Sequence, residues 1–279
     1  MILRLGSRGS RLALAQAELA AEALRAANPD FDVALVPITT AGDRDRTKPF
    51  GEIGERGVFV KEIEEALLAG RIDVAVHSAK DMTSTDTAGL AVGAYLPRED
   101  ARDALCGADA VRAGMRIGTA SVRRRAQLLA LEPSVTVEGL RGNVDTRLRK
   151  RGERGLDAVV LAAAGLDRLG LDAEIGLRFD PEDMVPEAGQ GALALQVRAA
   201  DVGLVAAVDD AETHRRVQSE RACVAAIGGG CLAPVAAHHD GSELVALIAD
   251  EDGAWIEKRR GDDPLALAEE LLAATAGRT

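Results

Sequence analysis

Strand-like and helix-like segments alternate along the first hundred residues, and this alternation limits the folds open to the chain. The predicted strands cover residues 2–6, 31–38, 73–77 and 90–96, and the predicted helices cover 10–27 and 58–68. Ser10 is a suitable N-cap for the first helix, because its hydroxyl can accept from a free backbone N–H. A β-α-β order with crossover helices indicates a parallel sheet with helices on both faces.

A second α/β unit is predicted after Pro97–Asp100, where the chain looks ready to cross between domains. Its predicted strands are 116–119, 135–137 and 157–161, with Ala162–Gly165 continuing from the last strand, and its first helix runs from the Ser121 cap to Leu131. The later elements are an apolar strand over 192–198, a helix over 213–226, a hairpin over 243–260 and a helix opening at Asp263-Pro264.

This order predicts three domains. The first is a discontinuous α/β domain over residues 1–96 and 192–209, because the apolar strand returns the chain to it. The second is an arginine-rich α/β domain over 97–191, and the third is a small α/β domain over 210–279. The fold class is therefore α/β, with two doubly wound domains and a smaller third one.

The charge of the chain is distributed unevenly. The net charge is −11, yet residues 112–168 hold twelve Lys or Arg against six Asp or Glu. Non-specific nucleic-acid binding needs a broad cationic surface, so an acidic protein with a basic centre favours a small polyanionic ligand instead. No run of 18 apolar residues predicts a membrane span, and the strand-like N-terminus favours a cytoplasmic protein.

Three cysteines without CxxC spacing predict neither a disulfide framework nor a zinc site, and the four histidines do not suggest a metal. Cys231 lies in the loop Gly228-Gly229-Gly230-Cys231-Leu232-Ala233-Pro234. Three glycines leave room for a bulky group, so the loop can display a thiol for covalent attachment. The alternative is a small apolar cysteine in an ordinary turn.

Anion-binding turns are predicted at several strand ends. In Gly118-Thr119-Ala120-Ser121-Val122-Arg123-Arg124, backbone N–H groups, two hydroxyls and a helix N-terminus meet two arginines. Arg141 and Arg147 repeat the pattern at a second strand end, and Arg8 repeats it in the first domain. Carboxylate or phosphate fits such turns, and the alternative is a capped helix with surface arginines.

Lys80-Asp81 is an acid–base pair at the end of a predicted buried strand. Asp81 is a candidate general acid, or a carboxylate that holds a cationic species, and the alternative is a salt-bridged loop pair. The polar, glycine-rich segment Gly42–Gly57 is predicted to be a mobile loop, with a lid as one role.

The motifs together resemble the porphobilinogen deaminase family, also called hydroxymethylbilane synthases, from Leu3 to the last helix. The segments that carry the resemblance are Val76-His77-Ser78-Ala79-Lys80-Asp81, Gly118–Arg124, Leu140–Leu148, Gly189-Gln190-Gly191-Ala192 and Gly229-Gly230-Cys231. The resemblance implies a transferase of tetrapyrrole biosynthesis. Such a transferase would condense four porphobilinogen molecules head to tail into linear hydroxymethylbilane, with release of ammonia. It also implies the paired, periplasmic-binding-protein-like domains of that family.

The resemblance also implies a dipyrromethane primer, held through a thioether to Cys231, and the catalytic carboxylate of Asp81. The residues implied to hold the carboxylates of the primer are Lys80, Thr119, Ser121, Arg123, Arg124 and Arg147. Those implied to receive incoming porphobilinogen are Arg8, Ser10, Arg141 and Arg168. Each pyrrole of these ligands bears two carboxylates, which agrees with the basic centre of the chain.

A non-catalytic anion-binding protein of the same two-domain architecture is the alternative function. It would use the arginine turns but would need neither a displayed cysteine nor Asp81. Because no apolar interface stripe stands out, we expect a monomer that acts on a small molecule, without nucleic-acid or membrane partners.

Overall fold

The computed structural model describes residues 2–40, 60–83, 87–228 and 234–276. The chain divides into two compact units, Met1–Glu99 with Ala192–Arg215, and Asp100–Gly191 with Arg216–Thr279. No helix in the described ranges is both long enough and apolar enough to cross a membrane.

A five-stranded sheet with helices on both faces forms the first unit. Its elements are β1 (Ile2–Arg8), α1 (Arg11–Ala27), β2 (Asp32–Ile38), α2 (Lys61–Leu68), β3 (Val74–Ser78), β4 (Leu90–Tyr95) and β10 (Leu193–Arg198). The strand order is β2-β1-β3-β10-β4. Ser10 Oγ accepts from Ala13 N at 3.2 Å, which confirms the predicted cap.

The side chains of neighbouring strand residues point to opposite faces, and each face of this sheet packs on a different helix. Val74 and Val76 lie in the cluster that includes Leu24 of α1. Ala75, between them, lies in the cluster that includes Ile63 of α2. This alternation is why a doubly wound domain forms here.

The second unit contains a similar sheet and a smaller one. The elements of its five-stranded sheet and the helices between them are β5 (Asp103–Cys106), β6 (Arg116–Gly118), α3 (Val122–Leu131), β7 (Thr136–Glu138), α4 (Val144–Glu153), β8 (Ala158–Ala162), α5 (Ala163–Asp167) and β9 (Ile175–Arg178). The strand order is β7-β6-β8-β5-β9, the same pattern as in the first sheet.

A long helix and an antiparallel sheet complete the described chain. Helix α6 (Ala211–Ile227) precedes β11 (Val235–His239), β12 (Leu244–Ala249), β13 (Ile256–Gly261) and α7 (Pro264–Thr275). Asp263 Oδ1 accepts from Leu265 N at 2.8 Å, so the predicted cap of the last helix is confirmed. One face of the small sheet packs on α6 and α7, where Cys223, Leu244 and Leu271 share a cluster.

These observations confirm the predicted fold class and correct three details. Strands β5 and β10 are antiparallel to their neighbours, so each sheet is mixed rather than wholly parallel. Strands β5 and β9 were not predicted, because both are only four residues long. Ala163–Asp167 forms a helix, not the end of the preceding strand. The three predicted domain boundaries stay a prediction.

Gly176 in β9 offers a direct test of this packing. A Cβ built there lies 2.1 Å from the carbonyl oxygen of Ala108, whereas a Cβ at Gly139 meets nothing within 4 Å. We predict that Gly176→Ala lowers the free energy of unfolding by about 1–3 kcal/mol, because backbone must move to admit the methyl group. Gly139→Ala is the control, and chemical denaturation of both variants is the measurement. Equal stability of the two variants would contradict the close approach of Gly176 to the backbone of Ala108, which follows β5.

Candidate functional site

Four of the predicted site residues lie at one edge of the first sheet. Strands β1 and β3 pair in parallel, so their carboxyl ends reach the same edge. Arg8 is the last residue of β1, and Ser10 follows it as the cap of α1. Lys80 and Asp81 lie in the single 3₁₀ turn that follows β3. The structure therefore brings Arg8, Ser10, Lys80 and Asp81 to a common edge.

Backbone hydrogen bonds hold the turn that carries Asp81. The N–H of Ala79 donates to the carbonyl of Ala192 at 3.0 Å, and the N–H of Met82 donates to the carbonyl of Ala79 at 3.2 Å. Ala79 is buried, whereas Asp81 is exposed and Lys80 half-buried. The acid is thus presented to solvent from a fixed backbone.

A chain of hydrogen-bonded polar side chains begins at the buried His77 in β3, just before this turn, and leads through the buried Gln196 to half-buried groups. His77 Nε2 is 3.1 Å from Gln196 Oε1, and Gln196 Nε2 donates to Glu64 Oε1 at 2.7 Å. Thr87 Oγ1 donates to the other oxygen of Glu64 at 2.8 Å. Because the amide nitrogen of Gln196 faces a carboxylate, its oxygen faces His77, and His77 Nε2 carries the proton.

The environment of His77 keeps its imidazole neutral. Burial lowers the pKa of His77 below its ordinary value, although Glu64 and Asp81 act in the opposite direction. Sequence reasoning missed this chain because Gln196 is 119 residues from His77 and 132 from Glu64. The first five residues of β10 are all buried, and nothing in the local sequence showed which partner its glutamine has.

The hydroxyl groups predicted for the second unit lie where β6 meets α3. Thr119 is buried, and its Oγ1 accepts from Ser121 N at 3.2 Å. Ser121 Oγ accepts from Arg124 N at 3.4 Å, which confirms Ser121 as the cap of α3. Both hydroxyls retain acceptor and donor capacity beside the N-terminus of a helix, where an anion is favoured.

Arg123 and Arg124 are buried and already hold protein carboxylates. Arg123 Nη1 donates to Asp103 Oδ2 at 2.7 Å and to the carbonyl of Val185 at 2.7 Å. Arg124 Nε and Nη2 form a fork on Asp103 Oδ1, at 2.9 and 2.7 Å. A second acid, Glu187, accepts from Arg123 Nε at 3.2 Å. Arg123 and Arg124, which the sequence analysis assigned to ligand binding, are therefore also part of the core of the second unit.

Asp103 is fully buried between these cations. Burial alone would raise the pKa of Asp103, but the guanidinium groups of Arg123 and Arg124 outweigh it and hold that pKa far below its ordinary value. Asp103 is ionised at neutral pH. Sequence reasoning missed it because β5 itself was not predicted.

The remaining predicted arginines also lie at the carboxyl edge of the second sheet. Strands β6, β7 and β8 are parallel. Arg141 follows β7, Arg147 is in the next helix, and Arg168 caps the helix that follows β8. All three are half-buried, and Arg168 Nη2 donates to the carbonyl of Gly191 at 2.7 Å.

Cys231 lies outside the described residues, as does the predicted loop Gly42–Gly57. The other two cysteines are described and buried. Burial raises the pKa of Cys106 and of Cys223 to about 11, so both are protonated and poorly nucleophilic at neutral pH.

Comparison with known proteins gives a family match over most of the chain. Residues 3–206 match the family described as "Porphobilinogen deaminase, dipyromethane cofactor binding domain". The chain is 45% identical over 289 residues to the porphobilinogen deaminase of Roseiflexus sp. (strain RS-1), covering 97% of this chain and 95% of the relative. It is 42% identical over 278 residues to that of Bacillus subtilis (strain 168), covering 94% and 88%.

Solved structures with low sequence identity were also found. A TRAP periplasmic solute binding protein from Desulfovibrio salexigens DSM2638 is 8% identical, with a TM-score of 0.45 over 78% of this chain and 74% of that one.

Removing the charge of Asp103 should destabilise the protein in a pH-dependent way. We predict that Asp103→Asn lowers the free energy of unfolding by about 3–5 kcal/mol at pH 7, because two buried guanidinium groups lose their shared carboxylate. The folded-state pKa is depressed, so this stabilisation is present above the unfolded value of about 3.9 and is lost as the pH falls further. Denaturation at pH 7 and below pH 4 measures it.

Asp109→Asn is the matched control, since Asp109 pairs with Arg112 at the surface. It should leave stability unchanged, because exposed ion pairs contribute little. A stability loss for Asp103→Asn that does not shrink in acid would contradict the assignment of a buried ionised carboxylate.

Proposed function

The chain belongs to the porphobilinogen deaminase family, and from that premise we propose that Asp81 catalyses its condensation of porphobilinogen. The family consists of transferases that polymerise porphobilinogen in tetrapyrrole biosynthesis, with a dipyrromethane cofactor. At each step the C–N bond of the aminomethyl group breaks and ammonia leaves. A C–C bond then forms to a free pyrrole carbon, which loses its proton.

The observation that carries this proposal is the Ala79–Asp81 turn. It presents an exposed carboxylate at the carboxyl edge of a doubly wound sheet, where such folds bind ligands. The bond from Ala79 N to Ala192 O fixes the backbone beneath it. Asp81 would assist departure of the amine and then stabilise the positive charge that develops on the substrate pyrrole.

Carboxylate recognition is assigned to the cationic and hydroxyl groups at the two sheet edges. We assign incoming substrate to Arg8, Ser10, Arg141 and Arg168, and the primer to Lys80, Thr119, Ser121, Arg123, Arg124 and Arg147. Helix N-termini beside Ser10 and Ser121 support this assignment, because they favour anions. A guanidinium group offers two parallel donors to each carboxylate.

The donor set of the second unit fits a group that bears several carboxylates. The bonds of Arg123 to Asp103, Val185 and Glu187 use Nε and Nη1, and Nη2 is the nitrogen that they do not use. When bound, the dipyrromethane supplies the pyrrole carbon to which the first substrate is joined. We propose Cys231 as its thioether anchor, and the buried, protonated state of Cys106 and Cys223 supports this choice.

We propose that the protein works in the cytoplasm as a monomer on a small molecule, without nucleic-acid or membrane partners. The net charge of −11 supports the absence of a nucleic-acid partner, because the phosphate backbone would be repelled.

Asp81→Asn tests the proposed role. We predict that the variant folds and carries the primer but consumes porphobilinogen at least about 10²-fold more slowly, since the amide can neither donate a proton as an acid nor balance a positive charge. Asp32→Asn is the control, because Asp32 is exposed at the opposite edge of the same sheet. Release of ammonia and loss of porphobilinogen are the readouts. Wild-type turnover by Asp81→Asn would remove Asp81 from the mechanism.

A further inference from the structure

The segment Gly189-Gln190-Gly191 contributes no residue to the assignments above, yet its glutamine is fully buried beside the paired arginines. We propose that Gln190 is a positioning residue that fixes the Asp103 carboxylate and thereby orients Arg123 and Arg124 toward the primer carboxylates. This inference rests on the proposed function, in which the two arginines hold the primer.

The amide of Gln190 has one orientation available to it. Its Nε2 donates to the carbonyl of Ala101 at 2.7 Å and to Asp103 Oδ1 at 3.0 Å, so both hydrogens face acceptors. Its Oε1 lies 3.5 Å from Arg124 Nη2, on the side of the cation. Flipping the amide would turn its oxygen toward two acceptors and its nitrogen toward a guanidinium group, so the surroundings allow only the observed orientation.

Asp103 transmits this constraint to both arginines. Oδ1 accepts from Gln190 and from the fork of Arg124, while Oδ2 accepts from Arg123. The bond from Gln190 holds the carboxylate against rotation, and each guanidinium group takes its direction from the oxygen that it contacts. Glu187 differs from Asp103, because it is partly exposed and its bond to Arg123 is longer, at 3.2 Å. Asp103 is thus the fixed partner, and Glu187 is the one that a ligand carboxylate can replace.

The backbone on either side of Gln190 is also held. The N–H of Gly189 donates to the buried carboxylate of Glu220 at 2.7 Å, and the carbonyl of Gly191 accepts from Arg168 at 2.7 Å. The φ angles of the two glycines are +74° and +87°, a region that favours glycine over other residues. The segment therefore presents the Gln190 side chain from a defined position.

Gln190→Glu tests the inference through pH. When it is ionised, the new carboxylate faces Asp103 and has no hydrogen to donate. When it is protonated, it regains one hydrogen-bond donor. Primer loading from porphobilinogen is measured by the intact mass of the protein over time. We predict that Gln190→Glu loads at least about tenfold more slowly than wild type at high pH, and that its loading recovers as the pH falls. Gln190→Met, which lacks the donors, should load slowly at every pH. If Gln190 acted only by filling space, the loading rate of Gln190→Glu would not recover as the pH falls.

Gln127→Glu is the matched control. Gln127 is buried in the same unit, but its amide bonds to the backbone of Val185 and Arg123 and to no carboxylate. Denaturation should show a pH-dependent stability loss in both glutamate variants, while only Gln190→Glu loses loading. Wild-type loading by both Gln190 variants, or an equal loading defect in Gln127→Glu, would overturn the inference. A wild-type protein that neither loads primer nor consumes porphobilinogen would overturn the proposed function and this inference together.

Discussion

The carboxylate of Asp103 joins parts of the second unit that are far apart in the sequence. It accepts hydrogen bonds from Arg123 and Arg124 at the start of α3. It also accepts one from Gln190, which comes after β9 in the chain. Through the same arginines, the carbonyls of Val160 and Val185 are also satisfied. These buried charges stabilise the fold only when all of them are present, because removing one charge leaves its partners buried and unpaired.

Under the proposed function, this arrangement gives the two arginines two roles, one in the core of the unit and one in binding the primer. Their protein partners hold the two guanidinium groups in order before any ligand arrives, so binding of a primer carboxylate, as proposed, would cost little conformational entropy. In the first unit the exposed Asp81 lies on a turn fixed by backbone hydrogen bonds, close in the chain to the buried His77, which is linked through the buried Gln196 to the half-buried Glu64. In both units the backbone and the buried polar groups hold the site residues in place.

Local signals in the sequence predicted much of the fold. The caps at Ser10, Ser121 and Asp263 each follow from a short polar side chain before an apolar helical pattern, and all three are confirmed. The placement of Lys80 and Asp81 is also confirmed, because the apolar run before them predicted the buried strand that they follow. Strands β5 and β10 pair with strands distant in the chain, and their antiparallel direction has no local signature.

The partners of the charged residues could not be predicted either. The excess of positive charge between residues 112 and 168 pointed to a polyanion, but several of those arginines serve the protein itself. Arg125 and Arg154 donate to the carbonyls of Val137 and Gly139, and Arg116 pairs with Glu138. A count of charges does not show whether a guanidinium group donates to a backbone carbonyl or is placed to bind a ligand, because either interaction needs only a nearby acceptor.

The most direct test is the intact mass of the denatured wild-type protein beside that of Cys231→Ser, each after incubation with porphobilinogen. The wild type should carry an added mass equal to two substrate units less their ammonia, and the variant should carry none. An unmodified wild type, or equal modification of both proteins, would contradict a dipyrromethane primer held at Cys231.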